Sequence, residues 1–248
     1  MIKFIVYLSK AIVTLIAALL WGSCQYHIDL TDTIKGSGNV IQVERTLNEE
    51  IQSIEVKRGM TVVIEQTPSN TIRIEADDNL IEYIETEITH GNLVVTTTKN
   101  TRTKNPKIVK IGVKNLNAIR TSSGSEVKNI GTLLTQEIDL RSSSGSHIKL
   151  VVESEKITCD SSSGSEIELE GKALVLECES SSGSTITAKK MKTNQITAKS
   201  SSGSSISLYP IQSLDATSTS GSTIKYYNSP NKTTKKSTSG GSVKEAYF

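Results

Sequence analysis

The chain has 248 residues, of which 35% are hydrophobic and only 4% aromatic. Both fractions are low for a globule built around one large core. The formal net charge is +2, but residues 1–23 hold Lys3 and Lys10 and no acidic residue, so the rest has 26 basic and 26 acidic side chains. A chain without a basic surplus is not expected to bind nucleic acid, because phosphate contacts need lysine and arginine on one face.

The first residues, MIKFIVYLSKAIVTLIAALLWGSC, predict a lipoprotein signal peptide over 1–23. A lysine-bearing start precedes an apolar run over 11–21, which is short for a permanent membrane helix and typical of a secretory signal. Small residues lead into Cys24, whose thiol would take the lipid and anchor the protein in the cell envelope, with the outer membrane the expected site. A plain secretory signal and an uncleaved anchor are the alternatives. Residues 24–35 would then form a tether.

Residues 36–118 predict strands that form the first coils or a cap. The segment SIEVKRGMTVVIEQ (53–66) has apolar residues at alternate positions on both sides of Gly59, which indicates a strand, a bend and a second strand with a short corner. The segments 71–77 and 92–98 predict further strands, and 77–88 fits either a helical turn or a strand pair.

Residues 119–248 repeat the phrase SSSGS or a close variant seven times. Its glycines are Gly124, Gly145, Gly164, Gly183, Gly203, Gly221 and Gly240, with steps of 21, 19, 19, 20, 18 and 19 residues. Three places after each glycine stands a valine or isoleucine, and apolar residues also stand five places before six of the glycines and seven places before five of them. The alternation with polar residues is that of a strand, and the fixed period is that of a repeat architecture.

Together these patterns predict an all-β fold, a parallel β-helix with coils of about 19 residues, in which stacked coils bury apolar columns. The small serines would lie at a tight corner of each coil, where glycine permits a bend. The serine two places before each glycine would form a regular hydroxyl strip on the surface. Its members Ser143, Ser162, Ser181 and Ser201 are the candidate ligand surface.

Several segments resemble the head GIN domain family of autotransporter-adhesin-like proteins. They are GSGNV (36–40), SIEVKRGMTVVI (53–64), IEADDNLIEYIETEITHGNLVV (74–95) and the serine-glycine coils, and the resemblance covers most of 36–226. It implies a right-handed β-helix in a secreted or lipid-anchored bacterial protein.

No motif for catalysis, a metal or a cofactor is visible, so we expect a protein that is not an enzyme. The histidines His27, His90 and His147 lack motif-spaced partners, and the serines lie in none of the nucleophile motifs. Cys159 and Cys178 fall in one column of consecutive coils, close enough for a disulfide, although two reduced, buried thiols are the simpler interpretation.

The sequence therefore predicts a non-enzymatic envelope lipoprotein that presents a β-solenoid for adhesion or ligand binding. Its expected partners are the membrane through Cys24, and glycans or envelope proteins. The alternatives are a scaffolding module that binds another envelope protein and a polysaccharide-active β-helix enzyme.

Overall fold

The computed structural model describes residues 33–47 and 49–247 and, nearer the start of the chain, only Tyr7, Lys10 and Thr14. The predicted signal peptide, the lipidation residue Cys24 and His27 lie outside the described residues. Residues 34–248 form one compact unit, and residues 1–33 are assigned to a second unit. In the part of the chain that the structure describes, no helix is long and apolar enough to cross a bilayer.

The described fold is all-β, with a single short 3₁₀ helix at Asp78–Tyr83 among the described elements. The strands of the front region are β1 (Thr33–Lys35), β2 (Val40–Arg45), β3 (Ser53–Val56), β4 (Thr61–Gln66), β5 (Thr71–Asp77), β6 (Ile84–Thr89), β7 (Asn92–Thr97), β8 (Asn100–Arg102) and β9 (Ile108–Val113). The strands of the repeats are β10 (Ala118–Thr121), β11 (Glu126–Ile130), β12 (Leu133–Ser142), β13 (His147–Ser161), β14 (Glu166–Ser180), β15 (Thr185–Ser200), β16 (Ser205–Ser218), β17 (Thr223–Tyr226), β18 (Lys232–Ser237) and β19 (Ser242–Glu245).

The repeats stack as a β-solenoid of about seven turns, which confirms the all-β coil prediction. Each long strand pairs in parallel with the equivalent strand of the next coil, so that Ile148 lies beside Ile167, and Ile167 beside Ile186. Identical offsets from the glycine therefore meet on both sides of each corner, and the register shifts lie in mid-strand, as after Glu168 and after Ala188. This in-register stacking explains why the sequence keeps a period near 19 residues.

The predicted apolar columns fill the interior of the solenoid. The residues three places after the glycine are buried from Val127 to Ile224, and Val243 in the last coil is partly buried against the core. The apolar columns that precede the glycine are also buried. Their members are Ile119, Leu140, Cys159, Cys178, Ala198 and Ala216 at five places, and Ile138, Ile157, Leu176, Ile196 and Leu214 at seven.

The front region departs from simple coil order. β3 pairs in parallel with β10 on one side and with β7 on the other, so a strand later in the chain lies further out than β3. β4 lies in the same way between β11 and β9. Strands β2, β5 and β6 then add antiparallel pairings beyond these coils. The ambiguous segment 77–88 resolves into the 3₁₀ helix followed by β6.

This antiparallel layer covers the N-terminal end of the core. Arg45 reaches from β2 to β6, donating from Nη2 to Ile84 O (2.7 Å) and from Nη1 to Thr86 Oγ1 (2.8 Å). Behind it, Asp77 accepts hydrogen bonds from Thr103 and Asn105, and these bonds lower the pKa of Asp77. The cap is therefore held by polar side chains that bind backbone and loop groups.

The C-terminal end is covered differently. In β18, Thr233 and Lys235 take the inward positions that Leu214 and Ala216 hold in the coil before. The Nζ atom of Lys235 lies 4.6 Å from the ring centroid of Tyr226 and donates to its hydroxyl. Because Tyr226 is 4% exposed, this ring closes the apolar interior, and the last coil adds polar residues above it.

Candidate functional site

Each serine-glycine phrase forms a tight corner between two strands. In one corner Ser144 has φ +54° and Gly145 has φ +67°, and the Ser146 N–H donates to Ser143 O (3.2 Å). Two consecutive residues with positive φ and this hydrogen bond are the features of a type I′ turn. The prediction of a corner is confirmed. Positive φ at the serine before the glycine recurs in all seven copies, at Ser123, Ser144, Ser163, Ser182, Ser202, Ser220 and Ser239.

In five of the seven phrases, two serines are buried and bonded to each other. They stand three places before and one place after the glycine, as Ser161 and Ser165 do, and their Oγ atoms lie 2.9 Å apart. Ser165 Oγ also lies 2.6 Å from Ser142 O of the preceding coil and accepts the Ser162 N–H (3.1 Å). These hydroxyls form a ladder that links successive coils, since the same bonds recur at Ser184, Ser204 and Ser222.

The candidate ligand residues lie just outside that ladder. Ser143, Ser162, Ser181 and Ser201 are half-buried at equivalent places in four successive coils. Their backbone groups bond to neighbouring coils, whereas none of their hydroxyls has a hydrogen-bond partner among the residues that the structure describes. We call these four residues the serine strip. The serine before each glycine is exposed, as at Ser144 and Ser163, so the phrase presents a second column of hydroxyls.

The serine strip borders two shallow depressions flanked by charged side chains. The first, of about 260 Å³, is lined by Glu55, Arg120, Thr121, Ser122, Arg141, Ser142, Ser143, Asp160 and Ser162. The second, of about 290 Å³, is lined by Asp160, Glu179, Ser180, Ser181, Lys199, Ser200, Ser201, Thr217 and Thr219. Each therefore joins hydroxyls to charges of both signs.

The charges beside the strip are largely paired with one another. Lys199 Nζ lies 2.8 Å from a carboxylate oxygen of Glu179 in the coil before, and this hydrogen bond raises the pKa of Lys199. Arg141 contacts Asp139 on its own strand at 3.0 Å. The surface is thus polar and close to electrically balanced, which suits a neutral or zwitterionic ligand better than a polyanion.

A larger groove lies at the junction of the front region and the repeats, and sequence reasoning missed it. Its volume is about 980 Å³, and its lining includes Glu50, Glu137, Glu153 and Glu155, the single cation Lys114, and the amides of Gln52, Asn70, Asn115, Asn117 and Gln136. The residues come from five separate segments, so their meeting depends on the rearranged strand order of the front region. No local motif marks them.

The histidines and the candidate metal ligands do not lie together in one site. Within the described ranges no group of histidine, cysteine or acidic residues is arranged to hold a metal ion. His90 lies in the turn between β6 and β7, and His147 stands between Glu126 and Glu166 of the adjacent coils, its Nε2 without a partner among the described residues.

The two described cysteines are reduced and buried. Cys159 and Cys178 are direct register partners and both are 1% exposed. The hydrogen bond with Cys178, together with burial, raises the pKa of Cys159. A thiol held neutral and away from solvent is a poor nucleophile. The pair therefore contributes small apolar volume to the column that alanines occupy in the later coils.

Comparisons with known proteins identify the family of the chain. The model of the family described as "Putative auto-transporter adhesin, head GIN domain" matches residues 51–230. No curated protein matches. Among solved structures, a "putative adhesin" from Bacteroides fragilis has 20% identity and a TM-score of 0.78, covering 86% of this chain and 100% of its own.

Two further structures share the fold. A "putative lipid binding protein" from Parabacteroides distasonis has 18% identity and a TM-score of 0.72, with 86% of this chain and 99% of that chain covered. A "putative adhesin" from Parabacteroides merdae has 20% identity and a TM-score of 0.70, with 87% and 99% covered. At these sequence identities, the structural similarity supports a shared fold and nothing more. On the family match over 51–230, the chain belongs to the head GIN domain family.

Proposed function

We propose that the protein is a non-enzymatic, lipid-anchored protein of the cell envelope that binds a repetitive polar polymer along the serine strip. The observation that carries this proposal is the row of half-buried hydroxyls at Ser143, Ser162, Ser181 and Ser201, which make no hydrogen bond to described residues. Unused hydroxyls at one repeated position can each donate and accept one hydrogen bond to a ligand.

The chemistry of the strip favours a glycan as the ligand class. Stacked coils repeat about every 4.8 Å, so a ligand with its own short repeat can satisfy several equivalent positions at once. Each contact is weak, but several contacts on one chain add up through effective concentration. Paired charges such as Lys199 with Glu179 leave little net field to attract a polyanion. A hydroxyl-rich, uncharged or zwitterionic polysaccharide matches this surface.

The cellular setting of the proposal rests on the family and on the N-terminal sequence. The family's description as an adhesin supports a cell-surface or envelope location. Lipid attachment at Cys24 supplies the membrane anchor, and residues 25–35 supply a short spacer. The neighbouring fold named a lipid binding protein is compatible with an envelope setting. We further propose that the coil is right-handed, since crossovers between parallel strands of one sheet overwhelmingly take that sense.

The test is a binding screen of residues 25–248 against glycans and envelope polymers. The strip variant replaces Ser143, Ser162, Ser181 and Ser201 with lysine. A matched control places four lysines at the half-buried hydroxyl positions Thr185, Thr187, Ser205 and Ser207, which belong to the sheet that follows the corner. Circular dichroism checks that both variants fold. Saturable binding that is lost in the strip variant and kept in the control supports the proposal. Absence of binding, or binding that both variants keep, overturns it.

A second candidate function is polysaccharide cleavage in the junction groove. The observation that favours it is the set of four glutamates, Glu50, Glu137, Glu153 and Glu155, on the walls of one groove. Glycoside hydrolysis uses two such carboxyl groups on either side of the bond. The polysaccharides that bind would be incubated with the protein and followed by reducing-end release. If the protein cleaves the polymer and Glu137→Gln or Glu153→Gln abolishes the cleavage, this second function replaces the binding proposal. If the polymer is not cleaved, this second function is excluded for the substrates tried.

A further inference from the structure

The two ends of the solenoid differ in how their charges are arranged, and the C-terminal end concentrates lysine. We call β18 and β19 (Lys232–Ser237 and Ser242–Glu245) the C-terminal end face. It carries Lys232, Lys235, Lys236 and Lys244 against one carboxylate, Glu245, which accepts a hydrogen bond from Ser229. All six residues of β18 are exposed. The end face is therefore basic and open to solvent.

Several lysines in the body of the solenoid are paired with glutamates of adjacent coils. Lys156 contacts Glu177 of the next coil at 2.9 Å, and Lys190 contacts Glu170 of the previous coil at 2.8 Å. By contrast, Lys232, Lys236 and Lys244 form no ion pair with any residue in the described part of the chain. The positive charge of the end face is thus uncompensated, although the chain as a whole is nearly neutral.

The unpaired lysines lie on both strands of the last coil. Lys232 and Lys236 alternate with the inward-facing Thr233 and Lys235, so they project outward from one sheet. Lys244 follows the inward Val243 and projects from the other sheet. Among the described residues, β18 pairs with β16 and β19 with β17, and their outer edges have no paired strand. Tyr247, 86% exposed, lies just beyond β19.

We propose that the C-terminal end face docks on an anionic lipid surface. A plane of headgroups can meet the lysines of both strands at once, whereas one extended polymer chain would follow a single strand. Lysines near an anionic leaflet each add to the attraction, and a tyrosine is well suited to the headgroup layer. This contact is separate from the serine strip and from the anchor at Cys24, so it goes beyond the proposed function.

Lysine on an exposed edge strand has a second explanation, which is protection against edge-to-edge association of sheets. That explanation requires charge at the edge but no affinity for lipid. The two explanations differ in one measurable quantity, the binding of the folded protein to vesicles. The experiment therefore compares neutral and anionic vesicles with a common set of variants.

The experiment uses residues 25–248, which lack the apolar leader and contain the compact unit 34–248 with its own core. Co-sedimentation is measured with phosphatidylcholine vesicles and with vesicles that contain about one third phosphatidylglycerol. The end variant is K232Q/K236Q/K244Q, and Lys235 is kept because it covers Tyr226. The control K172Q/K190Q/K199Q removes the same charge from three exposed lysines of the body.

We expect binding to anionic vesicles only, weakened when salt is raised from about 0.05 to about 0.5 M. At about fivefold per lysine, the end variant should lose roughly a hundredfold in affinity, while the body control stays near the wild type. Equal losses of affinity in the two variants would show that binding depends on net charge alone, and this would overturn the proposal. So would equal binding to both vesicles, no binding at all, or binding to soluble polygalacturonate without binding to vesicles.

Discussion

The corner between β3 and β4 turns through Arg58 at φ +56° and Gly59 at φ +65°. The corner between β12 and β13 turns through Ser144 at φ +54° and Gly145 at φ +67°. The two turns have the same length and similar φ angles. The sequence suggested a shorter corner in the front region, and that prediction was wrong. They also stack on the same pattern, because Gly59 N–H donates to Ser123 O (3.0 Å) as Gly145 N–H donates to Ser163 O (3.1 Å).

The two corners differ in what fills them from inside. The front corner holds Val56 and Met60, both fully buried. The repeat corner holds Ser142 and Ser146, 2% exposed, in hydrogen bonds with each other and with the backbone. The backbone turn therefore needs a residue pair that tolerates positive φ, and its interior accepts either apolar volume or a closed hydroxyl pair. A half-closed pair would leave a buried polar group unsatisfied, which is costly.

Exchanging one filling residue in the front corner gives the largest expected effect. Met60→Ser removes buried volume and adds a hydroxyl without its serine partner, and we expect a loss of about 3–5 kcal/mol in unfolding free energy. In Val56→Ser/Met60→Ser the two hydroxyls can pair as in the repeats, so the double variant should lose less than the sum of the singles. Urea denaturation measures both. Simple additivity would show that the two fillings are not interchangeable.

Breaking one hydroxyl pair in the repeats should cost less. Ser165→Ala removes the bonds that Ser165 Oγ makes with Ser161 Oγ, the Ser162 N–H and Ser142 O, and we expect about 1–3 kcal/mol of destabilisation. Ser163→Ala in the same corner is the control, because Ser163 is exposed and its loss should stay within about 0.5 kcal/mol. If the two variants were equally stable in urea, the ladder would contribute nothing measurable.

The shared backbone predicts equal costs for glycine replacement in both corners. A Cβ at Gly59 or Gly145 meets no atom within 4 Å, so the penalty comes from the positive φ alone. We expect Gly59→Ala and Gly145→Ala each to lose about 1–2 kcal/mol, measured by thermal or urea unfolding. A marked difference between them would mean that the filling, and not only the dihedral angles, sets the strain of the turn.

Much of the repeat region could be read from the sequence because its information is local and repeated. Offsets from the glycine placed Ile148, Leu140 and their equivalents inside without any knowledge of the fold. Strand alternation does not hold inside the corner, where Ser144 has positive φ and its side chain is exposed. It also breaks within β13, where the buried positions change from even to odd numbers between Val152 and Ile157.

The front region and the junction groove depend on long-range pairing. Nothing near β3 in the chain indicates that β7, about forty residues later, lies on its outer side, or that β5 and β6 run antiparallel. Glu50 and Glu153 share a groove only because of that order. The serine strip, in contrast, follows directly from the repeat, and its ligand stays a proposal because free hydroxyls accept many partners.

The smallest expected effect concerns the residue that precedes the glycine. Ser163 and Arg58 both have positive φ, a backbone conformation that asparagine adopts more readily than serine or arginine. Ser163→Asn should therefore stabilise the protein by about 0.5 kcal/mol, since Ser163 makes no bond that would be lost. Arg58→Asn gains the same relief but loses the bond from Nη1 to Thr97 O (2.9 Å), so its net change should be near zero or negative. Chemical denaturation of the two variants compares them directly. If Ser163→Asn destabilised the protein instead, the seven serines would be favoured by the turn itself, and their exposed hydroxyls would need no role in binding.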